Sequence, residues 1–209
     1  MANRSSVSKP RLVLATLNPA KARELTCLLG DVPVEVSPLA AFPGAHLPPE
    51  GELSYAANAL VKARTTVRLT GGLALADDSG LEVDALGGQP GVRSSRYGGE
   101  GLSDEERCAR LLQALREVPS EGRSARFRCV IALADPWGRE RVVEGVVEGL
   151  IAPEPRGAGG FGYDSIFFYP PLSRTFAELP PEVKGKVSHR GRALAVAREL
   201  LFAWRESGG

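Results

Sequence analysis

The chain has 209 residues, 43% of them hydrophobic, enough to bury a substantial core within one domain. Twenty-six Lys and Arg against 25 Asp and Glu leave a formal charge of +1 with no basic block, which argues against a nucleic-acid partner and for a small-molecule one. No apolar run is long enough to cross a bilayer, and residues 1–10 carry Arg4 and Lys9 but no secretory apolar region, so no membrane partner and a cytoplasmic location are expected. Three widely spaced cysteines, Cys27, Cys108 and Cys129, fit neither a disulfide framework nor a Cys-type metal site and read as reduced packing residues.

Strand-like and helix-like patterns alternate without repeat or linker, so residues 1–10 read as a flexible N-terminal segment and residues 11–206 as a single α/β domain. Residues 11–16 read as a strand. Asn18 then supplies an N-cap with Pro19 in the first helical position, Leu25, Leu28 and Leu29 form an apolar stripe, and Gly30 ends the helix. A second helix is expected over residues 54–70, closed by Gly71 and Gly72. The apolar run Leu73, Ala74, Leu75, Ala76 predicts a buried strand, and residues 81–86, alternating with period two, predict a separate half-exposed one. Residues 87–101 read as a glycine-rich loop. Ser103 and Glu106 have capping-box spacing ahead of Cys108, Leu111, Leu112 and Leu115 at helical intervals. Residues 125–134 and 141–151 form strands around the turn Asp135-Pro136-Trp137-Gly138, an antiparallel hairpin that makes the sheet mixed. A last helix over residues 188–205 carries Leu194, Ala197, Leu201 and Trp204 on one face.

Four constellations interrupt this scaffold with chemistry. In Thr16-Leu17-Asn18-Pro19-Ala20-Lys21 a lysine stands in the first turn of a helix, where it opposes the dipole. An anion there reverses the penalty, with free backbone N–H groups, the Thr16 hydroxyl and the Lys21 ammonium converging on phosphate oxygens; the plainer alternative is a capped helix with a solvated lysine. In Ala76-Asp77-Asp78-Ser79-Gly80-Leu81 two acids break the apolar run, at a place where open α/β sheets bind ligands. Neighbouring strand residues face opposite ways, so both acids serve one site only if the backbone bends, which Ser79-Gly80 permits; alternatively the pair is a turn that ends the strand. An acid beside phosphates implies Mg²⁺, held through one or two carboxylates, waters and the phosphates themselves.

The third constellation, Gly157-Ala158-Gly159-Gly160-Phe161-Gly162-Tyr163-Asp164, sets two aromatic rings and a carboxylate in a flexible loop. Flat rings there suit a nucleobase, or else anchor the turn to the core. The fourth is Lys184-Gly185-Lys186-Val187-Ser188-His189-Arg190 at the mouth of the last helix. Lysine and arginine only donate hydrogen bonds, so a base pocket built from them favours a 6-oxo purine over adenine, unless the cluster is a solvated basic turn with Ser188 as N-cap.

In this order, and joined by Asn58-Ala59-Leu60-Val61-Lys62-Ala63 and Ser188-His189-Arg190-Gly191, the motifs resemble the inosine triphosphate pyrophosphatase family over residues 12–201. The resemblance implies an elongated mixed β-sheet with flanking helices, two lobes around a nucleotide cleft, and a homodimer. It implies Mg²⁺-dependent hydrolysis of dITP, ITP and XTP to the monophosphate and pyrophosphate. Asp78 is then the proton acceptor and, with Glu50, the metal-associated acid. Thr16, Leu17, Asn18, Pro19, Ala20, Lys21, Lys62 and Ser79 fall to substrate binding, and Phe161, Gly162, Tyr163, Asp164, Lys184, His189 and Arg190 to the nucleoside end. The chain departs from the family pattern at Ala57, where a glutamate is frequent, at the shifted acids Glu50 and Glu52, and at Ser165 in place of a proline.

Overall fold

The computed structural model describes residues 9–30, 32–51 and 53–206, with the backbone alone at 205 and 206. The expected flexible segment lies almost wholly outside these residues, as does Glu52. In chain order the elements are β1 (Arg11–Leu14), α1 (Pro19–Leu29), β2 (Glu35–Pro38), α2 (Tyr55–Thr70), β3 (Leu73–Val83), α3 (Asp104–Ala114), β4 (Ser124–Ala134), β5 (Glu140–Ile151), β6 (Phe167–Tyr169), β7 (Arg174–Thr175), α4 (Pro181–Val187) and α5 (His189–Glu206). They form one 7-stranded sheet in the order β2-β1-β3-β4-β5-β6-β7, parallel across β2, β1 and β3 and antiparallel from β3 onward.

The helix ends follow from local chemistry. Asn18 Oδ1 accepts the N–H groups of Ala20 and Lys21, Ser54 Oγ accepts that of Ala57, and Gly71 closes α2 in the left-handed region at φ +66°. The Ser103/Glu106 capping box forms in both directions, at 3.1 and 2.8 Å.

β3 differs from expectation. Residues 73–83 make one continuous strand with no bend at Ser79-Gly80, because β4 pairs with it without interruption from Ala74↔Ala134 to Val83↔Ala125. Asp77 and Asp78 sit in its middle, opposite Ile131 and Val130, and therefore point to opposite faces. β1 accompanies β3 only as far as Leu75. Beyond the carboxyl end of β1 that edge of β3 lacks a strand neighbour until Glu82 bridges Pro90, so side chains from both faces border one opening.

On one face, α1 and α5 cover Leu12, Leu14, Leu75, Ile131 and Leu133, while α3 and the chain after β6 cover Leu81, Val83, Phe127 and Phe167. These two apolar clusters flank the stretch that holds Asp77 and Ser79, which is the physical origin of the two lobes. The opposite face is alanine: Ala74, Ala76, Ala132 and Ala134 meet Ala59 and Ala63 of α2. Small side chains on both partners bring α2 close to the strand that carries Asp78. Cys108 and Cys129 are buried as expected; Cys27 is exposed, and all three are free thiols.

α5 crosses β5 at Gly145, where a Cβ would collide with the backbone of His189 and Ala193. Relief requires moving the start of α5, since neither obstacle is a flexible side chain. Gly145→Ala is expected to destabilise the fold by about 1–3 kcal/mol, a fall of about 2–4 °C in thermal midpoint per kcal/mol. Calorimetry checks it; an unchanged midpoint would mean that α5 shifts freely.

Candidate active site

Between the lobes lies a cavity of about 340 Å³. Of the expected residues, Asn18, Lys21, Glu50, Asp78, Ser79, Phe161, Gly162, Tyr163, Asp164, Lys184, His189 and Arg190 border it. Thr16, Leu17, Pro19, Ala20 and Lys62 do not, Leu17 being half exposed to solvent.

At the carboxyl end of β1 the N–H groups of Ala20 and Lys21 are already taken by Asn18 Oδ1. They are not free for an anion, because a good N-cap satisfies the donors an anion would use. Thr16 Oγ1 accepts the N–H of Asn18 at 3.1 Å. Lys21, unfavourable in the first turn of a helix, is offset by Asp77 Oδ2 at 3.1 Å.

Asp77 is 1% exposed. Burial alone raises a carboxyl pKa, but the Lys21 ammonium and Arg190 guanidinium hold this one well below the usual range, so it stays ionised. Arg190 bonds Asp77 Oδ2 through Nη2 at 3.1 Å, Ser79 Oγ at 3.0 Å and Glu24 Oε2 at 2.6 Å. Glu24 also takes Lys184 at 3.2 Å. Neither Asp77 nor Glu24 was assigned such a role from the sequence. The available signal was Glu24's place one turn after Lys21 on the same helix face.

Asp78 has the contrary environment on the other face. Its Oδ1 takes Lys62 Nζ at 3.1 Å and its Oδ2 takes Asn58 Nδ2 at 2.9 Å. Asn58 is also tied to Gly51, through Gly51 N–H at 2.8 Å and Gly51 O at 3.1 Å, so α2 pins the loop that carries Glu50. Lys62 Nζ reaches Glu50 Oε1 at 2.9 Å. The lysine therefore bridges two carboxylates beside the cavity and lines the smaller one that adjoins it at Glu50. Burial and the neighbouring Glu50 charge push the Asp78 pKa up, only partly opposed by Lys62; Glu50, also raised by burial, is brought below the ordinary value by Lys62. The two acids are thus shifted in opposite directions from their ordinary values, Asp78 upward and Glu50 downward.

Two carboxylates on one ammonium form a donor set that suits a hard divalent cation. Mg²⁺ needs only one or two carboxylates when waters and phosphates complete its shell. Glu50 and Asp78 are the residues that would hold it. Among the described residues no group of three or more His, Cys, Asp or Glu is arranged as a protein-only metal cage. Ala57 faces a smaller adjoining cavity beside Glu50 and Lys62.

At the far end, Asp164 Oδ2 accepts Phe161 N–H at 2.9 Å and Lys184 Nζ at 2.7 Å. Gly160, at φ +73°, leaves the room that this carboxylate occupies. The two rings of the motif divide their roles. Tyr163 is buried in the apolar cluster with its hydroxyl donating to Ser94 O at 2.8 Å, so it anchors the turn. Phe161 is half-buried and borders the cavity, with Lys184 Nζ 4.9 Å and the Arg190 guanidinium carbon 5.5 Å from its centroid. His189 stacks on Phe127 at 4.6 Å, interplanar angle 14°. Burial, then Arg190 and Lys184, drive its pKa well below the ordinary histidine value, so the ring is neutral and offers one donor and one acceptor. The expected cationic cluster thus reduces to Lys184 and Arg190. Sequence reading also passed over α3, whose Asp104 Oδ2 accepts the Gly162 N–H at 2.6 Å and whose Cys108 Sγ donates to Gly162 O at 3.4 Å.

The motif order and this geometry agree with known proteins. The family model described as Ham1 family matches residues 12–200. The dITP/XTP pyrophosphatase of Desulforamulus reducens is 50% identical over 191 residues, 91% of this chain and 95% of that protein. That of Geobacter sulfurreducens is 49% identical over 191 residues, 91% and 96% of the two chains. The structure of a HAM1 protein from Coxiella burnetii matches with a TM-score of 0.84 and 43% identity, covering 93% of this chain and 99% of that one. The chain belongs to the Ham1 family.

Proposed function

We propose that this protein hydrolyses the deaminated purine nucleotides dITP, ITP and XTP to the monophosphate and pyrophosphate, using Mg²⁺. The observation that carries the reading is a single cavity bordered both by Asp78, Glu50 and Lys21 and by Phe161, Lys184 and His189, with Arg190 sharing Asp77 with Lys21 between the two groups. The relatives named dITP/XTP pyrophosphatase support it.

In this reading Asp78 accepts the proton of the water that attacks the α-phosphorus, a role that suits a carboxyl whose pKa burial and Glu50 push up. The bond from the α-phosphorus to the α,β-bridging oxygen breaks, and pyrophosphate leaves with that oxygen. Glu50 and Asp78 would hold Mg²⁺, which when bound would neutralise charge on the polyphosphate. Lys21 donates to phosphate oxygens, with Thr16 to Ala20 shaping the turn around it. Lys62 holds Asp78 and Glu50 in register, and Ser79 touches the substrate. Phe161 offers a ring for the base to stack on, and Lys184 and Arg190 donate toward a 6-oxo group. Adenine presents a 6-amino donor there, leaving both sides of the contact unpaired. The reading extends to a homodimer working in the cytoplasm, on the strength of the family resemblance. Among the described residues no helix is long and apolar enough to cross a membrane.

Three outcomes are expected. Pyrophosphate release from dITP and XTP should exceed that from dATP, dGTP and dTTP, stop in EDTA and return with added Mg²⁺; equal release from all five would refute the base selection. Asp78→Asn should lower kcat by about 10²–10⁴-fold while IMP binding by calorimetry stays near that of the parent, since volume and the Asn58 contact are nearly kept. His189→Ala should lower the ITP-to-ATP ratio of kcat/KM by about tenfold or more without leaving a charge unpaired, whereas Arg190→Ala should also destabilise the fold by about 1–3 kcal/mol because Asp77 and Glu24 each lose one of two cationic partners, keeping Lys21 and Lys184.

A further inference from the structure

We infer that Arg96 binds the leaving pyrophosphate, an anion-binding role at the β,γ end of the cavity. The inference rests on the functional reading above and extends it to the segment between β3 and α3, which the sequence presents only as a glycine-rich loop.

That segment is firmly built. Gly80, in the strand that carries Asp78, has no Cβ, and one placed there would strike Gly91 O, Ser94 Oγ and Tyr55 Oη. Ser94 Oγ accepts Leu81 N–H at 2.8 Å and donates to Gly91 O at 2.7 Å, while Ser94 O accepts Tyr163 Oη–H. Residues 91–96 are therefore fixed to β3 and to the turn that carries Phe161, and Ser94 and Ser95 border the cavity. From this rigid support one guanidinium is held loosely. Arg96 Nη1 lies 3.4 Å from Glu50 O and 3.6 Å from Glu50 Oε2, its side chain is 30% exposed, and its Nε and Nη2 make no hydrogen bond among the described residues.

Arg96 follows Ser95, which borders the cavity, and the cations that themselves border it are committed at shorter range. Lys21 lies at 3.1 Å on Asp77, Lys184 at 2.7 Å on Asp164, Arg190 at 2.6 Å on Glu24 and Arg107 at 3.1 Å on Asp104. The ion pairs fall into two sets: one runs from Asp164 and Lys184 through Glu24, Arg190 and Asp77 to Lys21, and the other joins Asp78, Lys62, Glu50 and Arg96. Arg96 belongs to the second set, on Glu50 beside the two acids where the α-phosphorus reacts in that reading, and not to the set that holds Lys184 and Arg190. The group beyond that phosphorus is the departing pyrophosphate, which gains negative charge as the bond breaks. A planar fork of N–H donors with unused hydrogen-bonding capacity matches such an oxyanion in shape and charge.

The test is calorimetric binding of inorganic pyrophosphate and, separately, of IMP to the full chain in Mg²⁺, for the parent, Arg96→Gln and Arg96→Lys. Arg96→Gln is expected to weaken pyrophosphate binding roughly ten- to hundredfold, the loss of a charged hydrogen bond, with IMP binding unchanged. Its kcat for ITP should fall more than its KM rises. Arg96→Lys, which keeps the charge but not the fork, should lie between. Pyrophosphate binding equal to the parent's in Arg96→Gln overturns the inference, and so does equal loss of pyrophosphate and IMP, which marks a structural role. A parent protein that binds neither ligand takes down the functional reading, and this inference with it.

Discussion

The carboxylate of Asp77 is the constraint on which the site depends. It lies on a central strand, almost without solvent, and holds the Lys21 ammonium of α1 and the Arg190 guanidinium of α5 through one oxygen. Taking three charges out of water is costly, and such a group is weak evidence for stability. Its consequence is registry: α1, β3 and α5 have one relative placement that satisfies all three charges. Glu24 extends the same network to Lys184, so the lysine assigned to phosphates and the cations assigned to the base are positioned by shared anions.

Asp77 and Asp78 are adjacent in sequence and opposite in chemistry. A strand turns neighbours to opposite faces, and the faces differ. Asp77 looks toward two cations and is locked in its ionised form; Asp78 looks toward α2, where burial and Glu50 raise its proton affinity against the single charge of Lys62. The environment drives the two carboxylates apart, one held as an anion and the other with its pKa raised, the division that the proposed acid–base role of Asp78 uses.

Packing delivers these groups to their places. The alanine layer between α2 and the sheet sets Asn58 and Lys62 over Asp78, and a larger residue in that layer would lift both away. On the other face the apolar clusters stop on either side of the polar stretch, leaving a cleft where neither closes. Close approaches at Gly80 and Gly145 bring the residue 91–96 segment and the start of α5 against the strands, and Asp104 fixes the turn at Gly162 from α3. Rigid support of this kind lets short side chains act at defined distances.

Much of this was legible in the order of residues. Asn18 before Pro19, the Ser103/Glu106 pair, the turn at residues 135–138 and the stripe Leu194, Ala197, Leu201, Trp204 each rest on interactions within a few residues, and each formed as expected. The four motifs identified the family because chemistry was concentrated in short runs. What the sequence alone did not contain was set by long-range pairing. β4 carried β3 straight through the acid pair, where local composition allowed a bend, and β2, with only four residues, was specified by its neighbour β1. That Glu50 and Asp78 share Lys62, that Ser94 holds the Tyr163 hydroxyl and that Asn18 caps the N–H groups of Ala20 and Lys21 are likewise set by the fold. Local propensity and motif identity depend on neighbours in the chain; burial, ion pairing and proton affinity depend on neighbours in space, and only the tertiary structure decides those.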